Sequence, residues 1–198
     1  MKRTMIRNPV VQVAMLAVLS MMICTGRGQQ EGVAGSADET VANDWTRAAE
    51  VRMKAALSQQ VEAEEVLWIS RELCQREYLE ETDRRNGLIQ AADMNFKAGE
   101  LHRMAALNYE RSAENWKRVV REYRRVSERV REQQSQGQVK RMQNRMLDAF
   151  EKASNAYELA ADVYGREAVA NHVRAGLSNE RGAECREWLA ERRRSVDP

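Results

Sequence analysis

The sequence predicts an all-α fold: an elongated, coiled-coil-like antiparallel three-helix bundle with a short C-terminal helix, behind a cleavable N-terminal signal segment. Three observations carry this expectation. No proline occurs between Pro9 and Pro198, and a proline in a helix interior costs about 3 kcal/mol. That interval is charged and alanine-rich, a composition that favours helix over sheet. Its apolar and aromatic residues also recur at alternating steps of four and three, the heptad spacing of helices packed at a shallow angle.

The N-terminus reads as an export signal. Lys2, Arg3 and Arg7 precede an apolar run from Val10 to Ile23, and no acidic residue occurs before Glu31. A charged head followed by a short apolar core is the pattern of a secretory leader, and the run falls short of the ~20 residues of a membrane span. Small residues at Cys24-Thr25-Gly26 give a signal peptide over 1–26, followed by a flexible linker over 27–36. The expected location is secreted, periplasmic or cell-surface, with membrane contact only through an uncleaved leader. Ile23 before Cys24 argues against a lipoprotein site, and the chain contains no Asn-x-Ser/Thr sequon.

The helices follow in order. Ser36 precedes Glu39 by three residues, the spacing of a capping box, and predicts a first arm over 37–85 that ends at Asn86-Gly87. A second arm is expected over 88–134, up to the polar stretch Gln133 to Gln138, and a third over 138–175, up to Gly176. Together they make a bundle over 37–176, with a short helix and polar tail over 177–198. Glycine followed by leucine, as at Gly87-Leu88 and Gly176-Leu177, is a common helix stop.

The second arm carries the clearest seam: Ala98, His102, Ala105, Tyr109, Ser112, Trp116, Val119, Tyr123, Val126 and Val130. In the third, Met146, Phe150, Ala153, Tyr157, Ala160 and Tyr164 repeat the same steps. An offset of 48 places His102 on Phe150, Tyr109 on Tyr157 and Trp116 on Tyr164, as expected for a duplicated arm. In the first arm the offset finds Val61 and Trp68, but Glu64 stands where a small residue is required. Rings alternating with Ala or Ser can lie over the small residues of a neighbouring helix and let backbones approach.

Counting along three antiparallel arms puts Cys74, His102, His172 and Cys185 at similar heights. Two cysteines in an exported chain point to a disulfide between Cys74 and Cys185; the alternative is two separate buried thiols. No two of these four residues have the local spacing of a zinc-ligand pair, so neither metal nor cofactor is expected.

Without the leader's cations the chain has 29 basic and 30 acidic residues, a balance that does not predict nucleic-acid binding. The basic residues cluster: Lys117, Arg118, Arg121, Arg124, Arg125, Arg129, Arg131, Lys140, Arg141 and Arg145 face only three acids over that interval. Eight acids between Glu31 and Glu65 offer an intramolecular counterpart on the first arm. The alternative use of the basic arm is an anionic ligand, a sulfated glycan or a lipid headgroup surface. Glycine-rich phosphate loops, a Gly-x-Ser-x-Gly elbow and local His-carboxylate motifs do not occur, so no catalytic residue is assigned. The sequence therefore points to an exported, non-enzymatic helical-bundle protein, a scaffold or protein-interaction element whose partner is another protein or a second copy of itself.

Overall fold

The computed structural model describes residues 36–75, 80–166 and 171–196. The leader and most of the linker lie outside the described residues. Four helices occupy the described chain: α1 (Ser36–Gln75), α2 (Glu81–Arg125), α3 (Arg129–Arg166) and α4 (His172–Val196). The protein is all-α, as the sequence predicts. The fourth helix is longer than expected, at 25 residues, and every inter-arm turn falls at a different place.

The helices alternate in direction. Glu39, Thr46, Gln60 and Ser70 of α1 lie opposite Tyr123, Ser112, His102 and Gly87 of α2. Glu100 and Asp93 of α2 lie opposite Tyr157 and Tyr164 of α3. Along their length the helices pack on their neighbours in the chain, α1 on α2, α2 on α3 and α3 on α4. The first and third arms, expected to close a three-sided bundle, meet chiefly through side chains: Thr46 Oγ1 reaches Met142 Sδ at 3.3 Å and Arg145 pairs with Glu50 at 2.7 Å. Rings of α2 reach their outer sides: Tyr123 bonds Glu39 of α1 and lies under Arg131 of α3, and Tyr109 lies under Arg145 of α3.

The two outer helices seat on the central pair through small residues. In α1 the buried positions recur every seventh residue, at Ala42, Ala49, Ala56, Ala63 and Ser70. In α4 they are Ala175, Ser178, Gly182, Cys185 and Leu189, again at steps of three and four. The heptad is thus the interface rule throughout. The rings sit on α2 and α3, and the outer helices supply the small residues beneath them.

The turns correct the sequence expectation. α1 ends at Gln75, ten residues before the expected end at residue 85. α2 starts behind Glu80, whose extended backbone (φ −67°, ψ 150°) precedes Glu81 and Asp83 in the first turn, where carboxylates are favoured by the helix dipole. The α2–α3 turn lies at 126–128, before the expected 133–138. Ser127 takes the left-handed conformation at φ 60°. The Ser127 and Glu128 N–H groups bond back to the carbonyls of Arg124 and Tyr123, the Schellman pattern formed without glycine. Val126 and Val130, assigned to the seam, are consequently exposed at this turn. Asn171 caps α4 by accepting the Arg174 N–H at 3.2 Å.

The glycines expected to stop helices lie inside them. A Cβ on Gly87 would stand 2.0 Å from Ser70 Oγ, and one on Gly99 would stand 2.9 Å from the Tyr157 ring. Both positions are required for close helix approach. Gly137 and Gly176 would meet nothing within 4 Å. Gly137→Ala and Gly176→Ala are therefore expected to raise unfolding free energy by ~1 kcal/mol each. Gly99→Ala should lower it by ~1–2 kcal/mol through overpacking, and Gly87→Ala should lose stability that Ser70→Ala restores. Denaturant titration of the four glycine variants and of the Gly87→Ala, Ser70→Ala double variant checks the assignment.

Candidate functional site

The ring seam is the most chemically furnished part of the molecule, and its polar atoms are turned inward. Tyr123 donates to Glu39 at 2.5 Å, Tyr157 to Glu100 at 2.6 Å, and Tyr164 to Asp93. Each hydroxyl thus binds a carboxylate on the preceding helix. Burial is the main cause that pushes the Tyr164 phenol up to about 12, with the Asp93 bond second, and burial drives Tyr157 higher still. For Tyr123 the bond to Glu39 is the leading cause of an upward shift. These phenols stay protonated and act as interhelical struts. Tyr109 instead lies under Arg145, which also holds Glu50. Trp116 and Phe150 complete the expected seam as buried rings, and Phe150 packs edge-on against Trp188 of α4 at 5.6 Å.

His102 is fully buried within this seam. Its Nε2–H donates to Gln60 Oε1 at 3.1 Å, and Nδ1 faces Met53 Sδ at 3.3 Å. Burial depresses its pKa to about 4; Lys152 lowers it further and Asp148 opposes. The ring is held neutral as a core member.

The cysteine and histidine residues do not gather. Cys185 is a free, buried thiol near Glu100 and Arg103. The side chain of Cys74 lies outside the described residues, but its place in α1 follows from the backbone. Ser70 is opposite Gly87, and Cys74 lies one turn farther toward the end of α1. From Gly87 to the level of Glu100 is 13 residues of α2, about 20 Å of helix. A disulfide needs Cα atoms within about 7 Å. The error in placing the first turn, ten residues too late, produced the expected coincidence. His172 starts α4 at an exposed position, and among the described residues no cluster of His, Cys, Asp or Glu is arranged to hold a metal.

The basic arm divides into two groups. Lys117 and Arg125 pair with acids three residues back in α2, Arg131 pairs with Glu128 of the preceding turn, and Arg124 crosses that turn to Glu132. Arg131 also covers the Tyr123 ring. Arg118, Arg121, Arg129, Lys140 and Arg141 are exposed and make no ion pair among the described residues. Among the described residues, the expected neutralisation by the acidic first arm reduces to Arg145–Glu50, made from α3. The α1 residue beneath Arg111 is Trp45, an aromatic partner.

One surface escaped the sequence reading. The face of α1 opposite its alanine stripe exposes Val51 at 62%, Val61 at 64% and Trp68 at 62%, flanked by half-exposed Leu57. The offset of 48 aligns Val61 and Trp68 with Tyr109 and Trp116 of α2, which are buried. The signal was present as an alanine at every seventh residue from Ala42 to Ala63, which fixes the inward face and therefore the outward one. Comparison of the chain with protein-family models, curated proteins and solved structures gives no match.

Two outcomes are expected. Because His102 is neutral when folded and titrates near 6.5 when unfolded, its contribution is complete above pH 6.5 and is lost progressively as pH falls toward 4. The loss amounts to about 3 kcal/mol, and His102→Phe should flatten that limb of the stability–pH curve. Burial also pushes the Cys185 thiol up to about 11. In a chain carrying Cys24→Ser and Cys74→Ser, labelling of Cys185 by a thiol reagent should wait for unfolding.

Proposed function

We propose that the chain is an exported, non-enzymatic scaffold or protein-interaction element that acts at a cell envelope or surface. The observation that carries the reading is the outward face of α1, where Val51, Val61 and Trp68 stand exposed in a row while the ring seam is spent inside the bundle. Apolar surface rimmed by polar residues marks interaction sites, and Val51, Val61 and Trp68 share one face of α1 with Lys54, Ser58 and Glu65 between them. The helix that bears the row is held by the alanine stripe and by the Glu39, Thr46 and Gln60 bonds to α2. A partner would meet a preformed ridge, which lowers the ordering cost of binding. The N-terminal leader pattern supports export.

A second reading, capture of an anionic ligand by the basic arm, draws on the five exposed cations Arg118, Arg121, Arg129, Lys140 and Arg141. Binding of that kind weakens with ionic strength, whereas packing on an apolar ridge does not.

The test places a photoreactive amino acid at Val61, at Trp68 or at Arg118 in the expressing cell. Protein adducts from positions 61 and 68, insensitive to salt, are expected. Adducts absent there, together with salt-sensitive retention on anionic vesicles or heparin that Arg118→Glu and Arg121→Glu abolish, would replace the scaffold reading with the anionic one.

A further inference from the structure

We propose that the outward face of α1 is self-complementary and pairs with the same face of a second copy, antiparallel about a two-fold axis between Gln59 and Gln60. The inference rests on the protein-interaction reading and names the partner.

It follows from the order of residues on that face. Opposite the buried stripe runs a second heptad row, with steps of four and three, through Val51, Lys54, Ser58, Val61, Glu65 and Trp68. All six are exposed. Reversing the row onto itself about its midpoint sets Val51 against Trp68, Lys54 against Glu65, and Ser58 against Val61. These are the layers of an antiparallel coiled coil, in which the two positions of the row face each other across the axis. The cation of each copy meets the anion of the other on both sides of the axis, and the tryptophan covers the valine at both ends. A parallel pair would set Lys54 against Lys54 and Glu65 against Glu65. The face therefore selects one orientation as well as one partner.

The isologous arrangement is the commonest way for a soluble chain to pair with itself. The seventeen helical steps from Val51 to Trp68 span about 26 Å. One helix face of that length is a small interface beside the ~800 Å² per partner of stable complexes, so the pair is expected to form at roughly micromolar concentration. Reversal of Lys54 alone would introduce two like-charge contacts across the axis, while reversal of both Lys54 and Glu65 would restore two opposite-charge ones.

The experiment is sedimentation velocity of the full chain from roughly micromolar to several hundred micromolar, with helix content checked for every variant. The expected result is a reversible monomer–dimer equilibrium in the native chain. Trp68→Glu should abolish it, Lys54→Glu should weaken it about tenfold, and the double variant Lys54→Glu, Glu65→Lys should return it to the native value. Monomer throughout, association indifferent to Trp68→Glu, or failure of the double variant to recover would each overturn the proposal. In a parallel pair the single reversal would merely exchange one like-charge contact for another, so an unchanged constant in Lys54→Glu also overturns it. A monomeric chain that still gives adducts with another protein from position 61 keeps the scaffold reading and removes self-pairing. A monomeric chain without such adducts removes both.

Discussion

The structure depends on a size contrast maintained at heptad spacing, with rings on the two central helices and mostly small side chains on the two outer ones, Trp188 and Leu189 of α4 standing as large exceptions. Ala42, Ala49, Ala56 and Ala63 carry nothing beyond Cβ, so α1 can settle close to α2 although α2 projects Tyr109, Trp116 and Tyr123 toward the α1–α3 side. Gly182 does the same for α4, where a Cβ would be at ordinary contact distance from Tyr157 Cβ and the Ser154 carbonyl. A large residue in either stripe would lift an outer helix off the pair along several turns, because a helix of this length is stiff and cannot yield at one point.

Polar chemistry in the interior is subordinate to that packing. Ring hydroxyls reach past the apolar layer to carboxylates at its margin, so each tyrosine buries its body and satisfies its tip. Ser112 bonds both the Ala42 carbonyl and Thr46, which fixes the level of α1 against α2. One group is left over: Asn108 Nδ2 is buried and has no hydrogen-bond partner among the described residues. An unsatisfied amide of this kind costs about 1–3 kcal/mol.

The parts of the fold that rest on repetition were legible in the sequence, and those that rest on single residues were not. Ten seam positions in the expected second arm make a pattern; the eight that fall in α2 are buried, and Val126 and Val130 lie beyond its end and are exposed. Turn positions failed because glycine has two uses in helical proteins. At Gly87 it makes room for Ser70 of the preceding helix, and no local signal separates that use from a stop. The actual turn at Ser127 uses a residue that enters the left-handed region seldom. The candidate surface was hidden for a different reason. Alanine carries little weight in an apolar count, so a stripe made of alanine leaves the direction of α1 undetermined, and the offset of 48 aligns the exposed Val61 and Trp68 with buried rings of α2.

Serial packing also governs how the molecule comes apart. When each helix leans mainly on its neighbours in the chain, the free energy of the whole is close to a sum of separate interfaces, as in linear repeat arrays. The α1 helix can then leave α2 without disturbing the seat of α4 on α3, and the reverse also holds. Backbone amides in α1 and α4 would exchange with solvent ahead of those in α2 and α3, through partial openings that spare the centre. A surface carried on α1 is thus carried on a detachable element, and whatever binds there also decides how often that element opens.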